Sequence, residues 1–469
     1  MRYRKTEIWK SVDWITILLY LIMVIAGWFS ICGASYEFDN VGLFDPSGRP
    51  GMQMIWIGTS LALIFVILML ESDFFDIFAY LIYACLIVLL NATIFLAPNI
   101  KGSHSWLVLG PIRLQPAELA KFATALAVAK FMNGYGFKLT TVKNFSITLF
   151  LIFLPMVCIL LQKETGSALV YLAFFLMLGV CAVVFFVTGM KYSEVMVGIT
   201  PLGELIVSCL VLLITMGLVG SVRKDYISVK IMLGGIASTF LIGYVVSLFV
   251  PVNFAWISIG LVGAASIYLF YLSIRNWVWH YALIALFALG SICFLFSVDY
   301  VFNDILEPHQ QIRIKVSLGL EDDPSGAGYN VNQSKIAIGS GGLSGKGFLN
   351  GTQTKLKYVP EQDTDFIFCT VGEEQGFLGA SAVLIVFGLF ILRLIVLAER
   401  QDNAFGRVYG YSVASIFFFH LAINVGMVTG ITPVIGIPLP FFSYGGSSLL
   451  GFTILLFIFL RLDASRRER

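Results

Sequence analysis

The feature that most constrains this chain is a recurrence. Apolar stretches follow one another along almost the whole of its 469 residues, at 14–32, 52–70, 77–97, 116–132, 145–161, 167–189, 202–220, 231–250, 254–273, 280–298, 376–392, 408–428 and 445–461. Each is close to the roughly 20 residues that carry a helix across a hydrocarbon core. Charged residues make up only 12% of the chain, about half the usual soluble fraction. The expected fold class is therefore all-α, a polytopic transmembrane helix bundle. The 30 basic and 28 acidic residues nearly cancel, which gives nucleic acid no basic patch to bind. Of the seven cysteines, all but Cys369 lie in or beside apolar runs, without CxxC spacing. That distribution reads as packing and not as disulfides or zinc. The first run follows Arg2, Arg4, Lys5 and Lys10 and is longer than a cleavable signal core, so it reads as a retained span.

Charge sets the orientation of these runs. Basic residues cluster at the N-terminus, at Lys130, Lys138 and Lys143, at Arg393, Arg400 and Arg407, and at Arg461 to Arg469, and the positive-inside rule places all four groups in the cytoplasm. An even number of crossings must then separate the second and third clusters. The runs at 145–161, 167–189 and 376–392 supply three, so the four runs between 202 and 298 must supply an odd number. The run at 202–220, introduced by Pro201, Gly203 and Glu204, is the one expected not to span. The total expected is about twelve spans. It divides into N-terminal helices (1–298, including an extra segment at about 190–298), a large extracytoplasmic loop (299–375) and C-terminal helices (376–469).

That loop concentrates polar chemistry that lipid would not tolerate. Asp323 precedes Pro324, which biases it toward an extended or turn conformation, and Gly326 and Gly328 permit close backbone approach. A carboxylate held there is suited to general-base work, with a solvated Asp-Pro turn as the plain alternative. The glycine cluster at 339–347 lacks Walker spacing, since Ser340 and Gly347 occupy two of its required positions. Its amides, with Lys335 and Lys346, suit phosphate oxygens, or form an ordinary flexible loop.

Two further constellations fall at the same side. In Gln115-Pro116-Ala117-Glu118-Leu119-Ala120-Lys121, Pro116 suits the first position of a helix, and Glu118 and Lys121 then share a face. Ionisable residues in a span mark function or a structural ion pair. Arg113 belongs to that surface, as does Glu164 within Gln162-Lys163-Glu164-Thr165-Gly166. His104, His280, His309 and His420 have no metal-ligand spacing, and His420 among Phe417–Phe419 reads as a packing residue. The prolines and glycines between Asn424 and Ser448 break helix where only a protein-walled cavity allows it, which implies a cavity opening outward.

These residues resemble the SEDS family (shape, elongation, division and sporulation), and within it the RodA branch. Three blocks carry the resemblance: Leu114–Lys121; Asp323-Pro-Ser-Gly-Ala-Gly-Tyr329 running through Gln333–Gly342 and Gly351-Thr-Gln353 to Thr364–Phe368; and Gly430–Ser447. It implies a ten-helix core, to which this chain adds an extra hairpin. The implied activity is polymerisation of lipid II, the undecaprenyl-pyrophosphate disaccharide-pentapeptide, into glycan strands at the bacterial cytoplasmic (inner) membrane, for cell elongation and rod shape. The implied partner is a class B penicillin-binding protein, a transpeptidase. Asp323 is then the catalytic base, and the substrate-binding set is Glu118, Lys121, Arg113, Glu164, Gln333, Ser334, Lys335 and Lys346. A divalent cation (Mg or Mn) is an open cofactor, and no metal ligand is assigned. Two departures stand out: Ser105 occupies the place of a usual arginine before Trp106, and Lys163-Glu164 replaces the usual Pro-Asp. The competing readings are a flippase for lipid-linked precursors and a non-catalytic scaffold. Transport would need charges along the whole crossing path, whereas a base is needed only at the outer face.

Overall fold

The computed structural model describes residues 11–35, 44–46, 48–98, 103–109, 112–137, 141–174, 211–212, 215–216, 219, 226–247, 254–300, 311–312 and 327–466. The chain divides into two compact units, one formed by residues 1–185 and 323–469, the other by 186–322. Asp323 and most of the run at 202–220 lie outside the described residues.

The larger unit is a helix bundle: α1 (Trp14–Ser35), α2 (Arg49–Met69), α3 (Ser72–Leu96), α4 (Pro116–Met132), α5 (Val142–Leu161), the short α6 (Thr165–Leu169) and, from the C-terminal half, α10 (Ala327–Ser340), α11 (Thr352–Lys355), α12 (Ile367–Glu399), α13 (Ala404–Thr429) and α14 (Gly446–Ser465). A two-stranded hairpin, β1 (Leu107–Leu109) and β2 (Ile112–Leu114), leads into α4. The second unit holds α7 (Tyr226–Ser247), α8 (Phe254–Asn276) and α9 (Trp279–Tyr300) among its described residues. Its core is Val262, Ala265 and Leu269 of α8 against Tyr281, Ala285 and Ala288 of α9. Across both units, eight helices among the described residues are long and apolar enough to cross a membrane, and α4, at 17 residues, is nearly so.

The sequence of α14, Leu449-Leu-Gly-Phe-Thr-Ile-Leu-Leu-Phe-Ile-Phe-Leu460, is apolar on every face, the mark of a helix buried all round. It is the central helix of its unit, buried along most of its length and packed against α2, α4 and α13. Around it Phe441 meets Tyr20 at 5.0 Å and Phe417 at 5.3 Å between ring centroids, edge-on for the first and tilted for the second.

Polar residues gather at the two ends of this bundle. At one end Asp13, just before α1, is held by Arg393 of α12 and by the hydroxyl of Thr16 at 2.7 Å. Burial pushes the Asp13 carboxyl up, but Arg393 and the Thr16 hydroxyl and amide outweigh it and leave it below its ordinary range. Arg400 pairs with Asp463 at the same end, and Arg461 Nε donates to the Leu70 carbonyl at 2.6 Å. At the opposite end Arg49 pairs with Asp363, and Gln362 donates to the Ala34 carbonyl at 2.6 Å.

Two helices are broken, and each break is repaired. Pro155 inside α5 has no N–H, so the carbonyl four residues earlier, Leu151, loses its helical partner. The Tyr83 hydroxyl of α3 donates to that carbonyl at 2.9 Å. In α12, Gly376 takes φ 68°, ψ −162°, a left-handed-side conformation open to glycine. The backbone groups freed there bond the loop at 342–347: Lys346 N to Glu373 O at 3.0 Å, Gly347 N to Glu374 O at 2.8 Å, and Phe377 N to Gly342 O at 2.9 Å.

The Pro155 repair is testable. Tyr83→Phe strands a buried carbonyl and should destabilise the protein by about 1–3 kcal/mol, read as a lowered unfolding midpoint in detergent. In a Pro155→Ala background, which restores the helical N–H, the same substitution should cost little. An equal loss in both backgrounds would show that the hydroxyl does not serve Leu151.

Candidate active site

Apart from Asp323, which lies outside the described residues, and Arg113, the residues singled out by sequence fall into four groups at or near the end of the bundle opposite Asp13. The first is built on α4. Pro116 is its first residue, as expected, and Glu118 and Lys121 face the interior one turn apart. The Lys121 ammonium donates to Glu118 Oε2 at 2.7 Å and lies 3.1 Å from His420 Nε2. His420 Nδ1 lies 3.1 Å from the Pro438 carbonyl, which can only accept, so the ring carries its proton on Nδ1 and Nε2 accepts from Lys121. The third direction from the ammonium is closed by the Phe452 ring, 4.6 Å away, a cation–π contact. Both charged side chains are under 5% exposed. His420, read from sequence as a packing residue, is thus also the second partner of Lys121. An ionisable residue within a span was the available signal.

The second group joins Glu164 to Ser103 and Ser105. Glu164 Oε2 accepts from Ser103 Oγ at 2.8 Å and from Ser105 Oγ at 2.9 Å. The segment is fixed from below by Gln162, whose amide donates to Leu90 O and Thr93 Oγ1 at 2.7 and 2.6 Å. Two short hydroxyls and one carboxylate therefore meet at this point. Arg113 stands apart on β2, opposite Val108 and exposed.

The third group lies on α10. Ser334 is buried and donates to Val428 O at 2.6 Å, near the C-terminus of α13. The next residue, Lys335, reaches Gly430, where a Cβ would meet its ammonium carbon at 2.6 Å. Gly430 ends α13 at φ 76°, so a glycine cap and a lysine share the carbonyl end of that helix, as its dipole favours. Gln333 is half-buried on the same helix.

The fourth group is the densest. The Lys346 ammonium donates to Ser340 Oγ at 2.7 Å, Thr352 Oγ1 at 2.6 Å and Glu373 Oε1 at 2.7 Å. Its three N–H bonds are all committed to protein oxygens. Glu373, with a fully buried side chain, also accepts from the backbone N–H of Thr352, Gln353 and Thr354 at 2.8–2.9 Å. One carboxylate therefore caps the first turn of α11 and holds the Gly351-Thr-Gln353 motif. Glu373 and its buried neighbour Glu374, which accepts from Leu349 N at 3.1 Å, were not singled out by sequence. Their signal was two acidic residues opening an otherwise apolar run.

The broken stretch after α13 is held by side chains. Asn424 donates to Asp365 O and Ile437 O at 2.8 and 2.7 Å, and Ser443 to Thr364 O at 2.6 Å. The polar motifs at 363–365 and 436–445 are thereby tied together.

A model of the FtsW/RodA/SpoVE cell cycle protein family matches residues 13–231 and 236–468. The chain belongs to this family. Among its relatives are the peptidoglycan glycosyltransferase RodA of Treponema pallidum, 32% identical over 403 residues (85% of each chain), and the peptidoglycan glycosyltransferase MrdB of Escherichia coli K12, 32% identical over 383 residues (81% of this chain, 76% of the relative). A solved structure described as a peptidoglycan synthase complex that coordinates polymerization and crosslinking matches with a TM-score of 0.62 at 25% identity, covering 97% of this chain and 98% of that one. The crystal structure of the Thermus thermophilus rod shape determining protein RodA matches with a TM-score of 0.54 at 23% identity, covering 97% of each chain, and shares the fold. The matched ranges cover both halves of the larger unit.

Glu118 and Lys121 are the pair whose burial has the clearest energetic consequence. Removing one partner of a buried ion pair leaves an uncompensated charge, at about 3–5 kcal/mol. Glu118→Gln and Lys121→Met should each lower the unfolding midpoint in detergent more than the double variant does. A double variant as unstable as the sum of the two would contradict the pairing.

Proposed function

We propose that this chain is a peptidoglycan glycosyltransferase that polymerises lipid II, with Asp323 as general base. The observation that carries the reading is the 32% identity to the RodA and MrdB glycosyltransferases over most of both chains. The structure supports it by tying the Asp363–Asp365, Gly436–Gly445 and Gly351–Gln353 motifs to one end of the bundle. Asp323 takes the proton from the acceptor sugar's 4-hydroxyl. That oxygen attacks the anomeric carbon of the donor sugar, the bond to the pyrophosphate breaks, and the undecaprenyl pyrophosphate leaves with the electron pair. The new linkage is β, by inversion.

Charge on the leaving pyrophosphate must be offset. Lys121 directs its donors at Glu118 and the His420 ring nitrogen, and Lys346 directs its own at three protein oxygens, so the exposed side chains of Arg113 and Lys335 are the cations this reading places on phosphate. A divalent cation would serve the same purpose, but no group of three or more His, Cys, Asp or Glu stands together among the described residues, and no step here runs through one. The reading places the protein in the bacterial inner membrane, with the Glu373 end outside. There a class B penicillin-binding protein would crosslink the strands. The peptidoglycan synthase complex to which the chain is similar couples those two activities.

Two outcomes test this reading. Asp323→Asn keeps size but cannot accept the proton, so polymerisation of lipid II by purified protein should fall about a hundred- to ten-thousandfold. Asp322→Asn should retain most activity, and a near wild-type rate for Asp323→Asn would refute the assigned base. For orientation, cysteines at the exposed positions Ser344 and Asn350 should react with an impermeant maleimide in intact cells. One at Tyr135, exposed in the loop after α4, should not, and the reverse pattern would invert the topology.

A further inference from the structure

We propose that the turn between α8 and α9 is a membrane-interface anchor, which seats the Trp277 and Trp279 rings among phospholipid headgroups. The proposal concerns the second unit by itself. It rests on α8 crossing the bilayer and not on the assignment of the base.

The apolar length of α8 places this turn. Ile257–Asn276 is a 20-residue stretch of mean hydropathy 1.9, which at about 1.5 Å per residue covers about 30 Å, the thickness of the hydrocarbon core. Trp277 is the next residue, and Trp279 opens α9. One face of α8 carries Ile267, Tyr271 and Ile274 at helical spacing, all more than half exposed. That stripe suits lipid and leads up to the turn. Arg275 lies at its end, with its guanidinium 5.9 Å from the centre of the Tyr271 ring and one N–H donated to the Tyr271 hydroxyl at 3.3 Å. Tryptophan and tyrosine with a cation, where an apolar run stops, are what a membrane–water boundary selects.

The backbone holds the turn so that both rings face outward. Val278, 6% exposed, is tucked inward. Its N–H donates to the Ser273 carbonyl at 3.2 Å, and its carbonyl accepts from Ser273 Oγ at 3.0 Å. On either side of it Trp277 is 90% exposed and Trp279 80%. Trp277 also takes φ 53°, a left-handed conformation that a bulky L-residue seldom adopts and that is open to glycine. A ring so exposed gains too little from its own unit to offset that strain. Strained backbone persists where the surroundings require it, and at the end of this span the surroundings are lipid. Indole fits them, with an apolar body for the upper acyl chains and one N–H for glycerol or phosphate oxygens.

The test uses full-length protein in phosphatidylcholine liposomes whose acyl chains carry bromine, a contact quencher of indole emission. The chain has eight tryptophans, so the two rings are read as the difference in emission between wild type and Trp277→Phe/Trp279→Phe. Bromine near the glycerol end of the acyl chain should quench that difference at least about twofold more strongly than bromine near the chain terminus. Aqueous iodide should quench it only weakly. Equal or stronger quenching from the chain terminus would put the rings in the hydrocarbon core. Quenching by iodide alone would put them in water, and quenching by neither would show that protein, a second copy or a partner, covers them. Each of these three results overturns the proposal. Should the double variant fail to yield monodisperse protein, Trp279→Phe alone changes a residue at the start of α9 and leaves the left-handed position untouched. The same comparison then reads that one ring, with the same result expected and the same three overturning it.

Discussion

A backbone amide or carbonyl that leaves a helix at membrane depth has no water to bond, and each one left unpaired costs several kcal/mol. The larger unit is organised by that penalty. Leu151 loses its partner to Pro155 and takes the Tyr83 hydroxyl. The break at Gly376 exposes the Glu373 and Glu374 carbonyls and the Phe377 amide, and the loop at 342–347 bonds all three. After Gly430 the chain runs non-helically to Gly445, and Asn424, His420 and Ser443 hold its carbonyls or those it crosses. Each irregular stretch is thus stabilised by a specific polar side chain or loop.

The same repairs bring the polar motifs together. His420 bonds the Pro438 carbonyl with one nitrogen and receives Lys121 with the other, so α4 and the broken stretch share one residue. Glu373 gathers α10, α11 and the loop between them around one carboxylate. In a chain of this composition, charges are expensive away from water and persist where they are paired. In the larger unit, the pairs at the Asp13 end join helix termini. Those at the opposite end hold loops and a helix break, the elements from which a site can be built.

The helices of the bundle were legible because their cause is one-dimensional. Runs such as 14–32, 52–70 and 445–461 correspond to α1, α2 and α14 within a few residues, and Pro116 marks the start of α4. The Glu118–Lys121 pair followed from helical spacing alone. What could not be read were partners set by the tertiary fold. Nothing in the order of residues says that His420, 299 positions along the chain, reaches Lys121, or that Ser105 meets Glu164 across 59. Glu373 was hidden for another reason. It opens a 33-residue helix, so it reads as the polar edge of a span, and its role appears only when Lys346, Thr352 and Thr354 converge on it. The residues with the strongest sequence signal for chemistry, around Asp323, lie outside the described residues, so their reading rests on motif and chain order alone.

The central claim, that this fold polymerises lipid-linked disaccharide at one membrane face, is tested most directly by reconstitution. Purified protein in proteoliposomes, supplied with labelled lipid II alone, should convert it to β-linked glycan strands resolved by gel, with release of undecaprenyl pyrophosphate. Movement of intact lipid II between leaflets with no strand formed would contradict the account and identify a transporter instead.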